Sequence, residues 1–350
     1  MLIKIAVADD DQEYVQRLVY GLERYNSLSI SVYTEAKSLE NALQTKRFDV
    51  LLFTPRVFKG QSLLPKHTAC ILLNDAEEMV PDSCRDFVKI EKYQQISSIY
   101  QKMLGQYAEV CGNQGTAGGN RTKKILFYSP VGGSGKTTLS LAAAACIARR
   151  GHSVLYVNLE ELASDDCFLP QSAGRKGMSE LLERLDSDIN FSLKLQGLAN
   201  TKMENFFYLN HFESPNDIYE MEKEELEKLI NVIGGAGLYE YLVIDGGISL
   251  DGKTLTLFEC ADKIVLVDKS DGAAKAKMQC FLRQLHVINE YSRKMLRVLN
   301  FGTECGNALE MELPIVEVVQ RARSAETEKV ILSIAGGGLN RLVNLLENEG

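Results

Sequence analysis

The stretch from Lys124 to Gly151 constrains the fold more than any other part of the chain. It begins with the apolar run KILFYS, continues through the glycine-rich VGGSGKTT, and passes directly into the alanine-rich LSLAAAACIARRG. An apolar run of strand length that enters a helix through a short glycine loop is typical of the β-strand and helix of a parallel sheet. The sequence therefore predicts an α/β protein.

Strand-like apolar runs alternate with helical patterns in two blocks. The first block contains IKIAVAD, LSISVYT, FDVLLFTP, TACILLND and DFVKIEK, and the second contains KILFYSP, SVLYVNL, NFFYLN, EYLVIDGG, KIVLVDKS and MLRVLNFG. Each block predicts a doubly wound parallel sheet. The segment between the blocks is rich in Gly and Asn and has no apolar periodicity, as is typical of a linker. We predict domains at 1–110 and 123–350, joined by a linker at 111–122.

The composition limits the kinds of partner. The 350 residues include 39 basic and 47 acidic side chains, for a net charge of -8, which argues against a broadly basic DNA-binding surface. The eight cysteines form no CxxC pair, a pattern typical of reduced thiols in a cytoplasm. The longest apolar run, LSLAAAACIA, is too short to cross a bilayer, and the amphipathic end LNRLVNLLENE has an acidic polar side. We expect a cytoplasmic protein with no specific DNA binding and no direct membrane insertion.

The glycine-rich loop has the chemistry of an anion site. Its glycines let the backbone approach phosphates without a Cβ clash, and the helix N-terminus behind it favours negative charge. Lys136 is placed to reach the β- and γ-phosphates, the Thr137 hydroxyl to bind Mg²⁺, and Thr138 to contact the α-phosphate. The alternative is a glycine-rich turn before an ordinary helix. We predict that ATP and Mg²⁺ bind here, through Gly132, Gly133, Ser134, Gly135, Lys136, Thr137 and Thr138.

The second block also resembles a known family. Pro130 replaces the first glycine of the simple phosphate-loop consensus, and the loop is more similar to the deviant form K-G-G-x-G-K-[ST]-[ST] of the ParA/MinD ATPases. RRGHSVLYVNLEE resembles that family's switch strand, YEYLVIDGG its Walker B strand ending in Asp245, and RVLNFG and LPIVEVVQRA its late segments. The resemblance implies that Asp245 lies beside Mg²⁺ and that Asn300 and Pro314 lie near the adenine.

Three departures from this family bear on hydrolysis. Val131 stands where the family has a signature lysine, and an apolar side chain cannot neutralise transition-state charge. Asn158 replaces the first aspartate of the switch strand, whereas Glu160 keeps a carboxylate at the position implied to orient water. Alternatively, both are polar residues at a strand end that face solvent. We predict ATP binding with slow or absent hydrolysis, with Lys136, Glu160 and Asp245 as catalytic residues and Thr137 and Asp245 as metal-binding residues.

The first block resembles a response-regulator receiver domain. Asp9–Asp11 match its acidic cluster, but Thr54 stands at the phosphoacceptor position and cannot form an acyl phosphate. Lys89 and Lys92 both lack the proline that follows the receiver lysine. The acidic triplet is either a metal site or, as we expect, a helix N-terminus whose amides favour carboxylates. The resemblance implies a flavodoxin-like fold, and we interpret this domain as a docking module that has lost phosphotransfer.

A receiver-like domain followed by a ParA/MinD-like domain resembles the TadZ/CpaE family. The resemblance implies a homodimer that acts with secretion proteins in assembling Flp-type (tight adherence) pili. It also implies recruitment by partners to a cell pole or the inner face of the membrane. Two alternatives remain open: a DNA-partitioning ParA-type ATPase, and a signalling output controlled by the receiver.

Overall fold

The chain forms two compact units. The computed structural model describes residues 3–25, 28–58, 68–75, 80–111, 121–170, 177–187, 189–284, 288–302, 313–322, 324 and 326–348. The first unit comprises residues 1–115 and 187–198, and the second comprises residues 116–186 and 199–350. Most of the predicted linker, residues 112–120, lies outside the described residues. The predicted α/β class with two parallel-sheet domains is confirmed.

The first unit has a five-stranded parallel sheet in the order β2-β1-β3-β4-β5. Its elements are β1 (Ile3–Ala8), α1 (Gln12–Leu22), β2 (Leu28–Tyr33), α2 (Ala36–Thr45), β3 (Val50–Phe53), β4 (Ala69–Asn74), β5 (Val88–Glu91) and α3 (Ile96–Cys111). Strand β3 is buried along its whole length, so it reads as a continuous apolar run, as expected for a parallel strand covered on both faces.

A helix from later in the chain packs with the first unit. Helix α6 (Phe191–Leu198) belongs to the segment 187–198, which the sequence analysis assigned to the second domain. A Cβ built on Gly197 would lie 2.8 Å from the Gly105 backbone nitrogen and 2.9 Å from the Gln101 carbonyl oxygen. The Lys194 ammonium lies 2.9 Å from the Glu109 carboxylate. Helices α3 and α6 therefore approach backbone to backbone, which only glycine permits at position 197.

We predict that Gly197→Val lowers the stability of the first unit by about 2 kcal/mol, because a branched side chain must push the two helices apart. Gly105→Ala is the matched control, since a Cβ there meets nothing within 4 Å and alanine favours helix. Scanning calorimetry should show a lower melting temperature for Gly197→Val than for wild type. The melting temperature of Gly105→Ala should not fall below that of wild type. Equal melting temperatures for Gly197→Val and wild type would contradict this packing.

The second unit has an eight-stranded sheet in the order β13-β12-β11-β6-β10-β7-β9-β8. Its elements are β6 (Lys123–Tyr128), α4 (Lys136–Arg149), β7 (Val154–Asn158), α5 (Met178–Glu183), β8 (Asn200–Met203), β9 (Phe206–Tyr208), α7 (Pro215–Glu220), α8 (Lys223–Gly235), β10 (Tyr241–Asp245), α9 (Gly252–Cys260), β11 (Lys263–Lys269), α10 (Gly272–Arg283), α11 (Ile288–Tyr291), β12 (Met295–Asn300), β13 (Ile315–Val319), α12 (Thr327–Ser333) and α13 (Asn340–Glu347). All the strands are parallel except the edge strand β8, which pairs antiparallel with β9.

The last helix is docked on the core of the second unit. Leu342, Val343 and Leu346 of α13 are buried in the hydrophobic cluster that also holds α4. Glu317 accepts hydrogen bonds from the first amides of α13, at 2.8 Å from Arg341 N, which satisfies groups that a helix N-terminus leaves without partners. Among the described residues, no helix has both the length and the apolar character needed to cross a membrane. The buried face of α13 packs in the interior of the second unit.

Candidate nucleotide site

The loop between β6 and α4 depends on glycine at two positions. Gly133 and Gly135 have φ angles of +65° and +80°, in the left-handed region that other residues seldom adopt. A Cβ on Gly135 would also lie 2.3 Å from Asn300 Nδ2. The alanine-rich α4 that follows is buried on almost all sides. Positions 133 and 135 therefore require glycine for the backbone conformation of the loop that leads into α4.

Val131, which stands at the signature-lysine position, is turned into the protein. Its side chain is buried, and its N–H donates to the Ser129 hydroxyl at 3.1 Å. The same hydroxyl lies 3.2 Å from the Val131 carbonyl oxygen, to which it donates. Position 131 thus presents neither a charge nor an extended side chain to the loop.

Lys136, the first residue of α4, is held between two carboxylates. Its Nζ donates to Asp245 Oδ1 at 2.5 Å and to Glu160 Oε1 at 2.9 Å. Lys136 and Asp245 are buried, at 4 and 0% exposure. Burial alone would lower the pKa of Lys136, but Asp245 and then Glu160 raise it above its ordinary value. The lysine is therefore a charged ammonium whose attraction to two neighbours outweighs its desolvation.

The same carboxylates connect the other predicted residues. The Thr137 hydroxyl donates to Glu160 Oε2 at 3.2 Å, and the Glu160 N–H donates to Asn158 Oδ1 at 2.8 Å. The Tyr156 hydroxyl donates to Asp245 Oδ2 at 3.1 Å. Asn158 is buried and Glu160 partly so, so the alternative of a solvent-facing polar residue at the strand end is wrong for Asn158.

Asp165 is a buried carboxylate that the sequence analysis missed. It begins a short 3-10 helix, Asp165–Cys167, and is 2% exposed. Within the described residues, its Oδ1 and the Asn158 Nδ2 are both buried without a hydrogen-bond partner. Burial raises the pKa of Asp165, and the charge of Asp245 raises it further. The acidic pair in LASDDCF was the available signal, but it lies beyond the switch-strand segment that carried the resemblance.

The residues predicted near the adenine lie in two places. Asn300, at the end of β12, donates from Nδ2 to the Ser134 carbonyl at 2.8 Å and so contacts the loop itself. Pro314 is exposed just before β13. A cavity of about 620 Å³ lies beyond β13, lined by Val318–Ala322 of the predicted segment and by Lys329 and Ser333 of α12. Thr138 is half-buried in the first turn of α4.

No cluster of three or more His, Cys, Asp or Glu residues suited to a metal occurs in the part of the chain that the structure describes. The oxygen atoms near Lys136 that could bind a metal belong to the hydroxyl of Thr137 and the carboxylates of Asp245 and Glu160. A threonine hydroxyl with one or two carboxylates suits Mg²⁺, which keeps several of its waters and binds phosphates beside few protein ligands. These residues therefore fit the predicted cofactor.

Two residues of the acidic triplet, Asp9 and Asp11, interact with groups within the first unit. Asp11 is the N-cap of α1 and accepts from Tyr14 N–H at 3.0 Å, so the helix N-terminus interpretation is confirmed for this residue. Asp9 is fully buried, and its carboxylate lies 2.8 Å from the ammonium of Lys92, which follows β5. Thr54 is buried, with its hydroxyl donating to the Ala8 carbonyl at 3.4 Å. A lysine thus sits within the acidic cluster.

Residues 1–108 match the protein family described as TadZ-like, receiver domain. The match covers most of the first unit, which is thus similar to TadZ-like receiver domains over these residues. The second unit has the ParA/MinD fold, shown by solved structures that cover about two thirds of this chain. The ParA family ATPase of Chlorobium tepidum TLS has a TM-score of 0.55 at 17% identity and covers 65% of this chain and 99% of its own. The MinC:MinD cell division complex of Aquifex aeolicus has a TM-score of 0.51 at 14% identity and covers 64% of this chain and 94% of its own.

A curated relative is similar in part of the chain. The tyrosine-protein kinase CpsD of Streptococcus pneumoniae serotype 4 is 27% identical over 183 residues, which cover 51% of this chain and 76% of that protein. The predicted combination of a TadZ/CpaE-like receiver domain with a ParA/MinD-type domain is confirmed by the family match and the fold together.

We predict that Lys136→Met lowers the free energy of unfolding by about 3 kcal/mol in the absence of nucleotide, because Asp245 is left as a buried charge without its cation. Lys277→Met, at an exposed position on α10, should have little effect. Urea unfolding followed by circular dichroism measures both. Equal loss in the two variants would show that the Lys136 ion pair contributes no net stability.

Proposed function

We propose that the protein binds ATP with Mg²⁺ through loop residues 132–138 and Asp245 and hydrolyses the ATP slowly or not at all. In this proposal it acts as a nucleotide-linked homodimer that positions or helps to assemble the Flp-type pilus machinery. One observation supports the nucleotide-binding part of this proposal. A charged, buried lysine lies at the N-terminus of α4, directly after a loop with two left-handed glycines. Loop amides, helix dipole and ammonium all favour a polyphosphate at one point.

The residues divide the binding task by their chemistry. The amides of residues 132–137 would bind the phosphate oxygens, and Lys136 would turn from Asp245 and Glu160 toward the β- and γ-phosphates. Thr137 and Asp245 would hold Mg²⁺, which supplies positive charge beside the phosphates. Asn300 would keep the loop in shape through Ser134. The cavity beyond β13 lies on a segment that the family resemblance associates with the adenine.

Slow hydrolysis follows from what the site lacks. No cation extends from position 131, since Val131 is apolar and buried. At position 158 an amide replaces a carboxylate, so Glu160 alone remains in the switch strand to orient water. Groups that stabilise transition-state charge contribute several orders of magnitude in related phosphoryl transfers. ATP in this protein would therefore act as a ligand that stabilises one state.

The assembly role rests on the TadZ-like receiver domain. The internal Asp9–Lys92 pair and the buried Thr54 support a receiver that presents a surface without being phosphorylated. Partners, by this proposal, are pilus or secretion proteins that recruit the dimer to a cell pole or the inner face of the membrane.

Isothermal titration calorimetry tests the binding claim. ATP with Mg²⁺ should bind one molecule per chain, and Lys136→Ala should weaken binding about 30-fold, equivalent to about 2 kcal/mol. Lys277→Ala, an exposed change on α10, should leave the affinity unchanged. The absence of heat with saturating ATP and Mg²⁺ would refute the proposal.

The turnover claim has its own test. Val131→Lys should raise phosphate release at least about tenfold if the remaining site is intact, because an ammonium would then be available to the phosphates. Val131→Met, which is long but apolar, is the control and should not raise it. A wild-type turnover above about 1 s⁻¹, within the ordinary range of enzymes, would contradict slow hydrolysis.

A further inference from the structure

A groove of about 460 Å³ beside the nucleotide site gathers exposed apolar side chains. Among its lining residues, Leu162, Tyr219 and Ile248 are 79, 73 and 55% exposed. Leu250, which is 43% exposed, lies between the lining residues Ser249 and Asp251. Single exposed hydrophobic residues are ordinary, but a contiguous group around a concavity is typical of an interaction site.

Two strand ends and three helices, α7, α8 and α9, build this groove. One wall is the chain after β7, Leu159–Leu162, and another is the chain after β10, Gly247–Asp251. The floor consists of four buried apolar side chains: Leu159, Ile218, Leu226 and Leu257. The groove is therefore a formed concavity whose walls follow directly from the strands that carry Asn158 and Asp245.

The charges around the groove favour a basic occupant. Glu160, Glu161 and Asp251 line it, and of the described lining residues only Lys253 is basic. Its Nζ donates to the carbonyl oxygens of Ile218 at 2.5 Å and Tyr219 at 2.6 Å, so it is engaged within the wall. A contact of this groove with the same groove of a second copy would set carboxylates against carboxylates, and like charges across an interface are unfavourable. Lysine or arginine beside apolar residues would complement the groove.

Glu160 belongs to the groove and to the nucleotide site at once. Its two carboxylate oxygens accept from Lys136 and Thr137, the side chains that would contact phosphate and Mg²⁺. If those partners turned to phosphate and Mg²⁺, as the proposed function requires, the Glu160 carboxylate would lose both donors and the groove would become more negative. The occupancy of one site would then bias the other, and the coupling would be reciprocal.

We propose that this groove, lined by Leu162, Tyr219, Ile248, Glu160, Glu161 and Asp251, docks a short amphipathic segment of a partner protein, apolar on one side and rich in Lys or Arg on the other. Nucleotide strengthens this docking through Glu160. The docking itself stands on the nucleotide-free structure, whereas its dependence on nucleotide rests on the proposed function.

Fluorescence anisotropy tests the docking with a labelled Leu/Lys peptide of about 14 residues, or four helical turns. We expect saturable binding to the full chain without nucleotide, and no binding of a Leu/Glu peptide with the same pattern. Leu162→Ala and Glu161→Lys should each weaken binding about tenfold. Leu345→Ala, an exposed apolar position on α13, is the matched control and should not. ATP with Mg²⁺ should tighten wild-type binding about fivefold.

Equal binding to wild type, Leu162→Ala and Glu161→Lys would overturn the docking site, because the peptide would then be held elsewhere. So would mass photometry in which wild type with ATP and Mg²⁺ is dimeric but Leu162→Ala is monomeric, since the face would then be an interface between copies.

Calorimetry on the same samples separates the two proposals. If ATP binds but the peptide affinity does not change, the coupling through Glu160 is refuted while the nucleotide site stands. If ATP does not bind, the proposed function fails, and the peptide result without nucleotide still decides the groove.

Discussion

The ion pair of Lys136 with Asp245 and Glu160 organises the second unit. It links the start of α4 to the end of β10 and to the chain after β7. Asp245 lies opposite Phe127 of β6 and Asn158 of β7 in the sheet register, so three parallel strands end at the same edge. Without a cation at that edge, the buried carboxylate of Asp245 would carry a large desolvation cost. The lysine therefore stabilises the nucleotide-free site, and a polyphosphate has to compete with Asp245 and Glu160 for it.

Sequence reasoning found the elements that follow from periodicity and backbone chemistry. All eleven strands expected from the apolar runs are present, because buried parallel strands leave continuous apolar segments. The glycine loop before α4 follows from the loop motif, and the position of Asp245 at the end of β10 follows from the resemblance to a Walker B strand. Asp11 as a helix cap follows from local amide chemistry alone.

Other features depend on contacts between distant segments, which one sequence does not reveal. Helix α6 joins α3 through Gly197, although its sequence looks like any short helix of the second domain. Strands β8 and β13 were missed because NTKM is polar and IVEVV is only partly buried. The acidic pair that contains Asp165 lies beyond the segment that carried the family resemblance, and Asn300 supports the loop across 166 residues of sequence.

A crystal structure of the protein with a non-hydrolysable ATP analogue and Mg²⁺ would test the exchange of partners by Lys136 most directly. The account predicts Lys136 Nζ within hydrogen-bond distance of the β- and γ-phosphate oxygens, with Asp245 and Thr137 turned to the Mg²⁺ shell. If the bound complex still shows Lys136 on Asp245 at its present 2.5 Å and the phosphates elsewhere, the account is contradicted.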